Sequence, residues 1–178
     1  MRALVLAAAL LALAGCGATQ PGPNTPATVE RVDLERYVGL WHEIARLPQS
    51  FQDSRSLRCE ETTAEYAAIG PGRVSVVNSC VNGLDPARPR STARGEAYVV
   101  DGSEGARLRV TFFWPFYGDY WVLGLGPDYS WALVGSPSRG SLWLLAREAS
   151  LPEAEVEAAL AIARREGFDL GPLIRAAR

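Results

Sequence analysis

The stretch that decides the fold is "RYVGLWHEIARLPQSFQ", residues 36–52, which gathers aromatic side chains around a single glycine. Tyr37, Trp41 and Phe51 flank Gly39 within this short run. Glycine adopts backbone conformations that other residues avoid, so Gly39 predicts a tight turn into a strand that starts near residue 40. Successive strand residues point to opposite faces. We therefore expect Trp41 to point inward and His42, the single histidine, to point outward.

Short strand-like runs follow this stretch at hairpin spacing, separated by Gly, Pro, Asp and Asn. Consecutive hairpin-linked strands leave no exposed edge when they close into an up-and-down barrel, which also leaves room for one small ligand. We predict an all-β fold, an eight-stranded antiparallel barrel, with a β-sandwich as the alternative. The predicted strands span residues 40–47, 60–68, 73–81, 92–100, 107–114, 119–125, 130–136 and 141–148.

The last three strands are apolar on both faces, so their outer side needs a cover. The run "SLPEAEVEAALAIARREG", residues 150–167, predicts a helix that supplies it. Ser150 is the expected N-cap, Glu153 completes a capping box, and Gly167 ends the helix. One apolar stripe along this helix should pack on the outside of the barrel: Val156, Ala159, Leu160 and Ala163.

The N-terminal segment "MRALVLAAALLALAGC" has the pattern of an export signal, with a positive residue followed by an apolar run too short to span a bilayer. Its Leu-Ala-Gly-Cys ending resembles the lipobox of bacterial lipoproteins, which implies that Cys16 carries a diacylglyceryl group. A plain secretory signal is the alternative. We assign residues 1–15 to the signal peptide, 16–32 to the lipidated cysteine and a flexible tether, and 33–178 to the barrel domain.

The other two cysteines bound a predicted hairpin whose Gly-Pro-Gly turn lies midway between them. Cys59 and Cys80 should face each other across this hairpin, and export favours a disulfide. In the chain-entropy model, closing a loop of about 20 residues stabilises the fold by about 3 kcal/mol. A metal site is the alternative, but with His42 it would still be an incomplete one.

Three motifs resemble those of lipocalins. Gly39-Leu40-Trp41 is similar to their Gly-x-Trp motif, and "GPDY", residues 126–129, resembles their Thr-Asp-Tyr turn, with Pro in place of Thr. The resemblance implies that Gly39, Trp41, Asp128, Tyr129 and Arg147 are structural, with Arg147 stacked over Trp41. It covers about residues 32–175 and is closest to the bacterial, apolipoprotein D-like lipoproteins.

The resemblance and the strand alternation together predict an apolar cavity that suits an acyl chain with a polar head near the opening. The implied partners are a fatty acid or lysophospholipid and, through Cys16, the outer membrane on its periplasmic side, with a homodimer possible. The implied role is lipid transport or storage in the cell envelope. The predicted ligand contacts are Phe51, Ala64, Tyr66, Val76, Asn78, Ala93, Val110, Phe112, Tyr120, Val122, Ala132, Val134, Trp143 and Leu145.

Composition favours binding over other functions. The formal charge is −2 and no lysine occurs, so the sequence does not indicate a nucleic-acid partner. His42 is the single histidine and should face outward, so neither a Ser-His-Asp set nor a Cys-His pair is available, and we expect neither an enzyme nor a cofactor. Two alternatives remain: a lipocalin-fold enzyme acting on a lipid through Glu43 or Glu96, and a structural envelope protein whose interior is filled.

Overall fold

A computed structural model describes residues 18–176 as one closed antiparallel β-barrel. The sheet order is β2-β3-β4-β5-β6-β7-β8-β1, and a further pairing of β2 with β1 closes the ring. The eight-stranded barrel prediction is confirmed and the sandwich alternative is wrong. The helix lies outside the ring, as predicted. The predicted signal peptide and Cys16 lie outside the described residues.

The strands are β1 Gly39–Arg46, β2 Cys59–Gly70, β3 Arg73–Asn82, β4 Arg90–Val99, β5 Arg107–Phe113, β6 Phe116–Leu125, β7 Trp131–Gly135 and β8 Leu142–Ala146. Helix α1 spans Leu34–Tyr37 and α2 spans Glu153–Arg165, while Pro127–Tyr129 form a short 3-10 turn. A ninth strand, β9 Ile174–Arg175, pairs with the end of β1 and was not predicted. Within residues 18–176, no helix has the length and apolarity needed to cross a membrane.

The barrel has two different ends. We call the end that carries α1 the base and the opposite end the mouth, where loops 47–58, 83–89, 114–115 and 136–141 lie. At the base β1 and β2 pair from Gly39 to His42, whereas towards the mouth they part. Strands β4 and β5 likewise pair only along Glu96–Val99 on the β4 side. The ring is therefore closed at the base and looser at the mouth.

A β-bulge in β1 changes which way the strand faces. The pairing with β8 skips Ile44, between Glu43 and Ala45, so the residues beyond it reverse their faces. Ala45 is consequently buried in the outer apolar cluster beneath α2, while Arg46 is buried beside Glu43. Strand β1 thus contributes to the barrel interior at the base and to the helix interface near the mouth.

Helix α2 begins differently from the prediction. Its N-cap is Pro152, with no side-chain cap, so the capping box predicted for Ser150 and Glu153 does not form. Leu151, just before the cap, is buried in the same outer cluster as Val156 on the first turn. An apolar pair at these positions fixes the entry of the chain into a helix, which explains the start without a side-chain cap. The predicted stripe faces the barrel, and its four members are buried.

Residues 18–32, which we call the strap, lie against the barrel. The backbone N–H of Val32 donates to Glu104 O and that of Val29 to Val122 O, both at 2.9 Å. Val32 also joins the inner apolar cluster. The prediction of a free tether up to residue 32 is therefore wrong for this part, because Pro-rich composition disfavours helix and strand without preventing such contacts.

Candidate ligand-binding site

Trp41 closes the base of the barrel. Its side chain is fully buried and its Nε1 donates to Tyr37 O at 2.8 Å. Arg147 Cζ lies 3.8 Å from the centre of the indole ring, and the guanidinium donates to Leu40 O at 3.0 Å. Gly39 has φ +101°, and a Cβ there would come within 3.3 Å of Arg147 Nη1. The Gly-x-Trp motif and Arg147 therefore form a packed floor.

The turn between β6 and β7 is fixed to the same floor. Tyr129 OH accepts a hydrogen bond of 2.9 Å from the Asp33 N–H, at the start of α1. Arg36 Cζ lies 4.4 Å from the centre of the Tyr129 ring, and Arg36 Nη2 is 3.3 Å from Asp128 Oδ1. Pro127, in place of threonine, leaves these contacts intact. Asp128 and Tyr129 both have positive φ, consistent with a tight turn.

Three tyrosines lie above the floor and share hydrogen bonds. Tyr120 OH is 2.7 Å from Tyr37 OH and 3.1 Å from Tyr66 OH. Burial raises the pKa of Tyr66 to about 12 and raises the pKa of Tyr37 and Tyr120 well above the ordinary value. All three phenols are therefore neutral at pH 7. The three hydroxyl groups carry three protons but share only two hydrogen bonds, so one hydroxyl can donate to a further acceptor. Tyr37 was not among the predicted contacts.

The base half of the interior is filled. Half of the predicted contacts are buried in one apolar cluster with Trp41 and Tyr37. Because this cluster sits directly on the floor, its side chains pack mainly against each other. These residues are Ala64, Tyr66, Val76, Val122, Ala132, Val134 and Leu145.

The mouth half is more open. Ala93 and Asn78 pair across β3 and β4 on the inner face, and Ala93 is exposed although it lies inside the ring. Asn78 Oδ1 is buried and has no hydrogen-bond partner among residues 18–176. Phe112 lies on Gly95, where an added Cβ would come within 2.8 Å of the ring. Three more predicted contacts are partly buried here: Val110, Phe112 and Trp143. Tyr120 is partly buried in the base half, beside Tyr37 and Tyr66.

A buried charge network forms one wall of the mouth half. Arg46 donates to Glu43 Oε1 at 2.5 Å and, through Nε, to Asp53 Oδ2 at 2.9 Å. Gln52 Nε2 donates to Glu43 Oε2 at 2.8 Å, and Gln52 Oε1 accepts from Trp143 Nε1 at 2.9 Å. Both oxygens of Glu43 are thus engaged. Of this network, the strand alternation predicted only that Glu43 points inward. The bulge in β1 and the contacts of Gln52 leave no signal in the sequence.

Burial and pairing shift the two carboxyl groups in opposite directions. Burial raises the pKa of Glu43, although Arg46 and Gln52 oppose that shift. Partial burial also acts against the ionised form of Asp53, but hydrogen bonds from Arg46 and the Gln49 N–H hold the pKa of Asp53 below its ordinary value. Arg46 therefore stabilises the ionised form of both groups.

Phe51 lies at the mouth, as predicted. It belongs to the loop between β1 and β2, and its ring centre is 6.4 Å from that of Trp143. Its side chain is 64% exposed, so it lies at the edge of the opening and not in the packed interior.

Cys59 and Cys80 form a disulfide near the mouth. They are not directly opposite, because the hairpin is centred on Pro71, which is farther along the chain from Cys59 than from Cys80, and the register places Asn82 across from Cys59. The bonded sulfurs are unavailable to a metal. Among the described residues there is no group of three or more side chains suited to hold a metal ion.

The other predicted carboxylate, Glu96, lies on the outer face of β4. It is exposed and pairs with Arg73 at 2.5 Å. A cleft of about 330 Å³ opens where β1 and β2 part and shares Glu43 and Arg46 with the buried charge network. Its lining is strongly charged, which suits an acyl chain poorly: Glu43, Arg46, Arg58, Cys59, Glu60, Glu61, Thr62, Ile174, Arg175 and Ala176.

Comparisons with known proteins agree with this geometry. A family model described as a lipocalin-like domain matches residues 32–178. The outer membrane lipoprotein Blc of Escherichia coli (strain K12) is 38% identical over 178 residues, covering 98% of this chain and 96% of that protein. Apolipoprotein D of Mus musculus is 30% identical over 178 residues, covering 90% and 88%. Insecticyanin from Manduca sexta shares the fold, with a TM-score of 0.66, 22% identity and coverage of 86% and 84%. The chain therefore belongs to the lipocalin family.

Proposed function

We propose that this lipocalin is anchored to the outer membrane through Cys16 and holds a fatty acid or lysophospholipid in the mouth half of its barrel. The observation that carries the proposal is the exposure of Ala93 on the inner face of β4, beside Asn78, whose buried side-chain carbonyl has no hydrogen-bond partner among residues 18–176. An acyl chain would cover Ala93, and a hydroxyl or amide of the ligand could donate to Asn78. Membrane attachment is supported by relatives that are named outer membrane lipoproteins.

The packing of the base limits where the ligand lies. The three tyrosines and Trp41 occupy the base half, so the ligand enters and remains on the mouth side. From Val76, at the edge of the filled base half, β3 extends about 13 Å towards the mouth as far as Cys80. That depth suits one acyl chain whose polar end stays near the opening, which supports a role in carrying or storing single-chain lipids in the envelope.

The geometry gives less support to catalysis. Glu43 has both oxygens occupied by Arg46 and Gln52, and Glu96 is on the outside of the barrel. A general base must reach the proton that it removes, and neither carboxylate has a free oxygen directed into the mouth half. A filled, purely structural interior also fits less well, because Ala93 is exposed.

Filling the mouth half should weaken ligand binding without unfolding the barrel. We expect Ala93→Trp to weaken binding of a long-chain fatty acid or a lysophospholipid at least tenfold, because excluding two methylenes already costs about 1.6 kcal/mol. The matched control is Thr92→Trp on the outer face of the same strand, which should bind normally. Isothermal titration measures both, with circular dichroism to check folding. Equal binding by the two variants would contradict the proposed site.

Membrane attachment has its own test. Cys16→Ser should move the protein from the membrane fraction to the soluble fraction, because the lipid is the proposed anchor. The double variant Cys59→Ser/Cys80→Ser controls for the replacement of cysteine by serine elsewhere in the chain and should stay with the membrane. Cell fractionation followed by intact mass measurement decides the matter. A Cys16→Ser protein that stays in the membrane fraction would contradict the anchor.

A further inference from the structure

The mouth exposes an unusual number of aromatic side chains. Phe113, Trp114 and Phe116 at the tip of the β5–β6 hairpin are 80%, 81% and 77% exposed. Phe51 lies at the same end, on the loop between β1 and β2, and Leu84 follows on the loop between β3 and β4. Large exposed apolar groups that cluster together mark an interaction surface. We call Phe113, Trp114 and Phe116 the aromatic tip.

The strap leads from the base to this same end. Asn24 O accepts a 2.8 Å hydrogen bond from Arg139 in mouth loop 136–141. Further towards the N-terminus, Thr19 Oγ1 donates to Asp119 Oδ2 at 2.6 Å. Asp119 is three residues from Phe116 on β6, which is about 10 Å along the strand. The strap therefore brings the N-terminal end of the described chain close to the aromatic tip.

Cys16 precedes Thr19 by three residues, a span of at most about 10 Å. A lipid on Cys16 would accordingly enter the membrane near the mouth and far from the base. Tryptophan is enriched at the boundary between headgroups and acyl chains, and phenylalanine with tryptophan forms the buried face of segments that lie in the membrane surface. We propose that the aromatic tip inserts into the membrane surface beside the anchor, so that the mouth of the barrel opens onto the bilayer. This proposal rests on the proposed lipid anchor.

The charges near the mouth do not oppose this contact, because many of them are paired. Arg58 pairs with Glu60 at 2.9 Å, Arg88 pairs with both Glu60 and Glu61 at 2.9 Å, and Arg90 pairs with Glu61 at 3.2 Å. Paired charges cost less to bring near an apolar medium than isolated ones. The base offers a contrast, since the most exposed of its large apolar groups are the aliphatic side chains of Leu40 and Ile69, and its exposed aromatic Tyr98 is only 38% exposed.

A second copy of the chain is the competing occupant of the aromatic tip. One aromatic side chain can bury about 150 to 250 Å², so three of them provide about 600 Å² per partner. Stable protein interfaces bury about 800 Å² per partner. The aromatic tip is therefore small for a dimer but sufficient for a membrane contact that the anchor already holds in place.

The test uses the mature lipidated protein in vesicles of phosphatidylethanolamine and phosphatidylglycerol that contain phospholipids brominated on their acyl chains. Bromine quenches tryptophan at short range. Trp114 is exposed, whereas Trp41, Trp121 and Trp131 are buried in the protein. We expect bromolipid to quench wild-type emission and Trp114→Phe to lose the Trp114 part of that quenching.

The matched control moves the tryptophan to the base, in Leu40→Trp combined with Trp114→Phe. Bromolipid should quench the added tryptophan at least about threefold less than it quenches Trp114, because position 40 faces away from the bilayer. Equal quenching at the two ends would overturn the proposed orientation, as would an unquenched Trp114. A dimer that forms through Phe113 and is lost in Phe113→Ser would overturn the membrane as occupant.

Two further measurements separate this proposal from the proposed function. Intact mass shows whether Cys16 carries the lipid in the protein used, and a failure to quench in lipidated protein overturns the orientation alone. Fatty-acid binding by Cys16→Ser in solution tests the barrel site without any membrane. Loss of that binding would contradict the proposed function, whatever the quenching shows.

Discussion

Replacing Arg46 with methionine should lower the free energy of unfolding by about 3 to 5 kcal/mol, the usual cost of removing one partner from a buried ion pair. Arg46 is 2% exposed and donates hydrogen bonds to Glu43, to Asp53 and to the carbonyl of Cys59. Methionine keeps most of the length and apolar volume, so the loss reports the missing charge and hydrogen bonds. Urea unfolding followed by circular dichroism measures it.

A matched surface arginine provides the control. Arg58 pairs with Glu60 but is about half exposed, and Arg58→Met should cost less than about 1 kcal/mol. Adding Glu43→Gln to Arg46→Met should recover part of the stability, since it removes the carboxylate that would be left buried without a partner. Similar losses for Arg46→Met and Arg58→Met would contradict the role of the buried network.

The cost of Arg46→Met should also depend on pH. Arg46 favours the ionised forms of Glu43 and Asp53, opposing the raised pKa of the first and lowering the pKa of the second. Stabilisation from the lowered pKa of Asp53 is present above its unfolded value and is lost as pH falls through the folded value. The difference between wild type and variant should therefore be larger at pH 7 than at about pH 3, which is below the ordinary aspartate pKa of about 3.9.

Trp41→Ala should destabilise the barrel by about 3 to 5 kcal/mol, the range for removing a buried tryptophan. The indole is fully buried, donates to Tyr37 O and lies beneath Arg147. Its loss would leave a cavity in the floor and remove the surface on which the guanidinium stacks. Chemical unfolding followed by circular dichroism is the measurement, because the mutation itself alters tryptophan fluorescence.

The control for Trp41→Ala is Trp114→Ala at the exposed aromatic tip. Trp114 is 81% exposed, so its removal should change stability by less than about 0.5 kcal/mol. The two substitutions delete the same atoms, and only their burial differs. Equal effects on unfolding would show that Trp41 does not hold the base together.

The barrel could be predicted from sequence because its strands carry a local signal. Alternation in "LRVTFF" and the apolar runs of the last strands locate β5 to β8, and the turn residues between strands set the order of the hairpins. The helix followed from its apolar stripe. Its exact start did not, because the burial of Leu151 outweighed a capping box that looked favourable in sequence.

The candidate site was predictable only in part. Strand alternation placed Ala93 and Asn78 inside, but it could not show that the base half fills while the mouth half stays open. The filled half contains hydroxyl contacts among Tyr37, Tyr66 and Tyr120, which come from α1, β2 and β6. Long-range contacts of this kind leave no periodic trace in the chain, and the same holds for β9 and the strap.

The bulge at Ile44 has a consequence for how the chain finds its pairing. A slip of one residue between β1 and β8 would move Arg46 into the apolar cluster under α2 and turn Ala45 towards Glu43. The slipped alignment would bury the Arg46 guanidinium without a partner in that cluster and would leave the Glu43 carboxylate without Arg46. It is therefore much less stable than the native alignment. The buried charge of Arg46 therefore selects one alignment of β1 with β8 during folding. Without it, the apolar residues on both faces of these strands would allow several alignments.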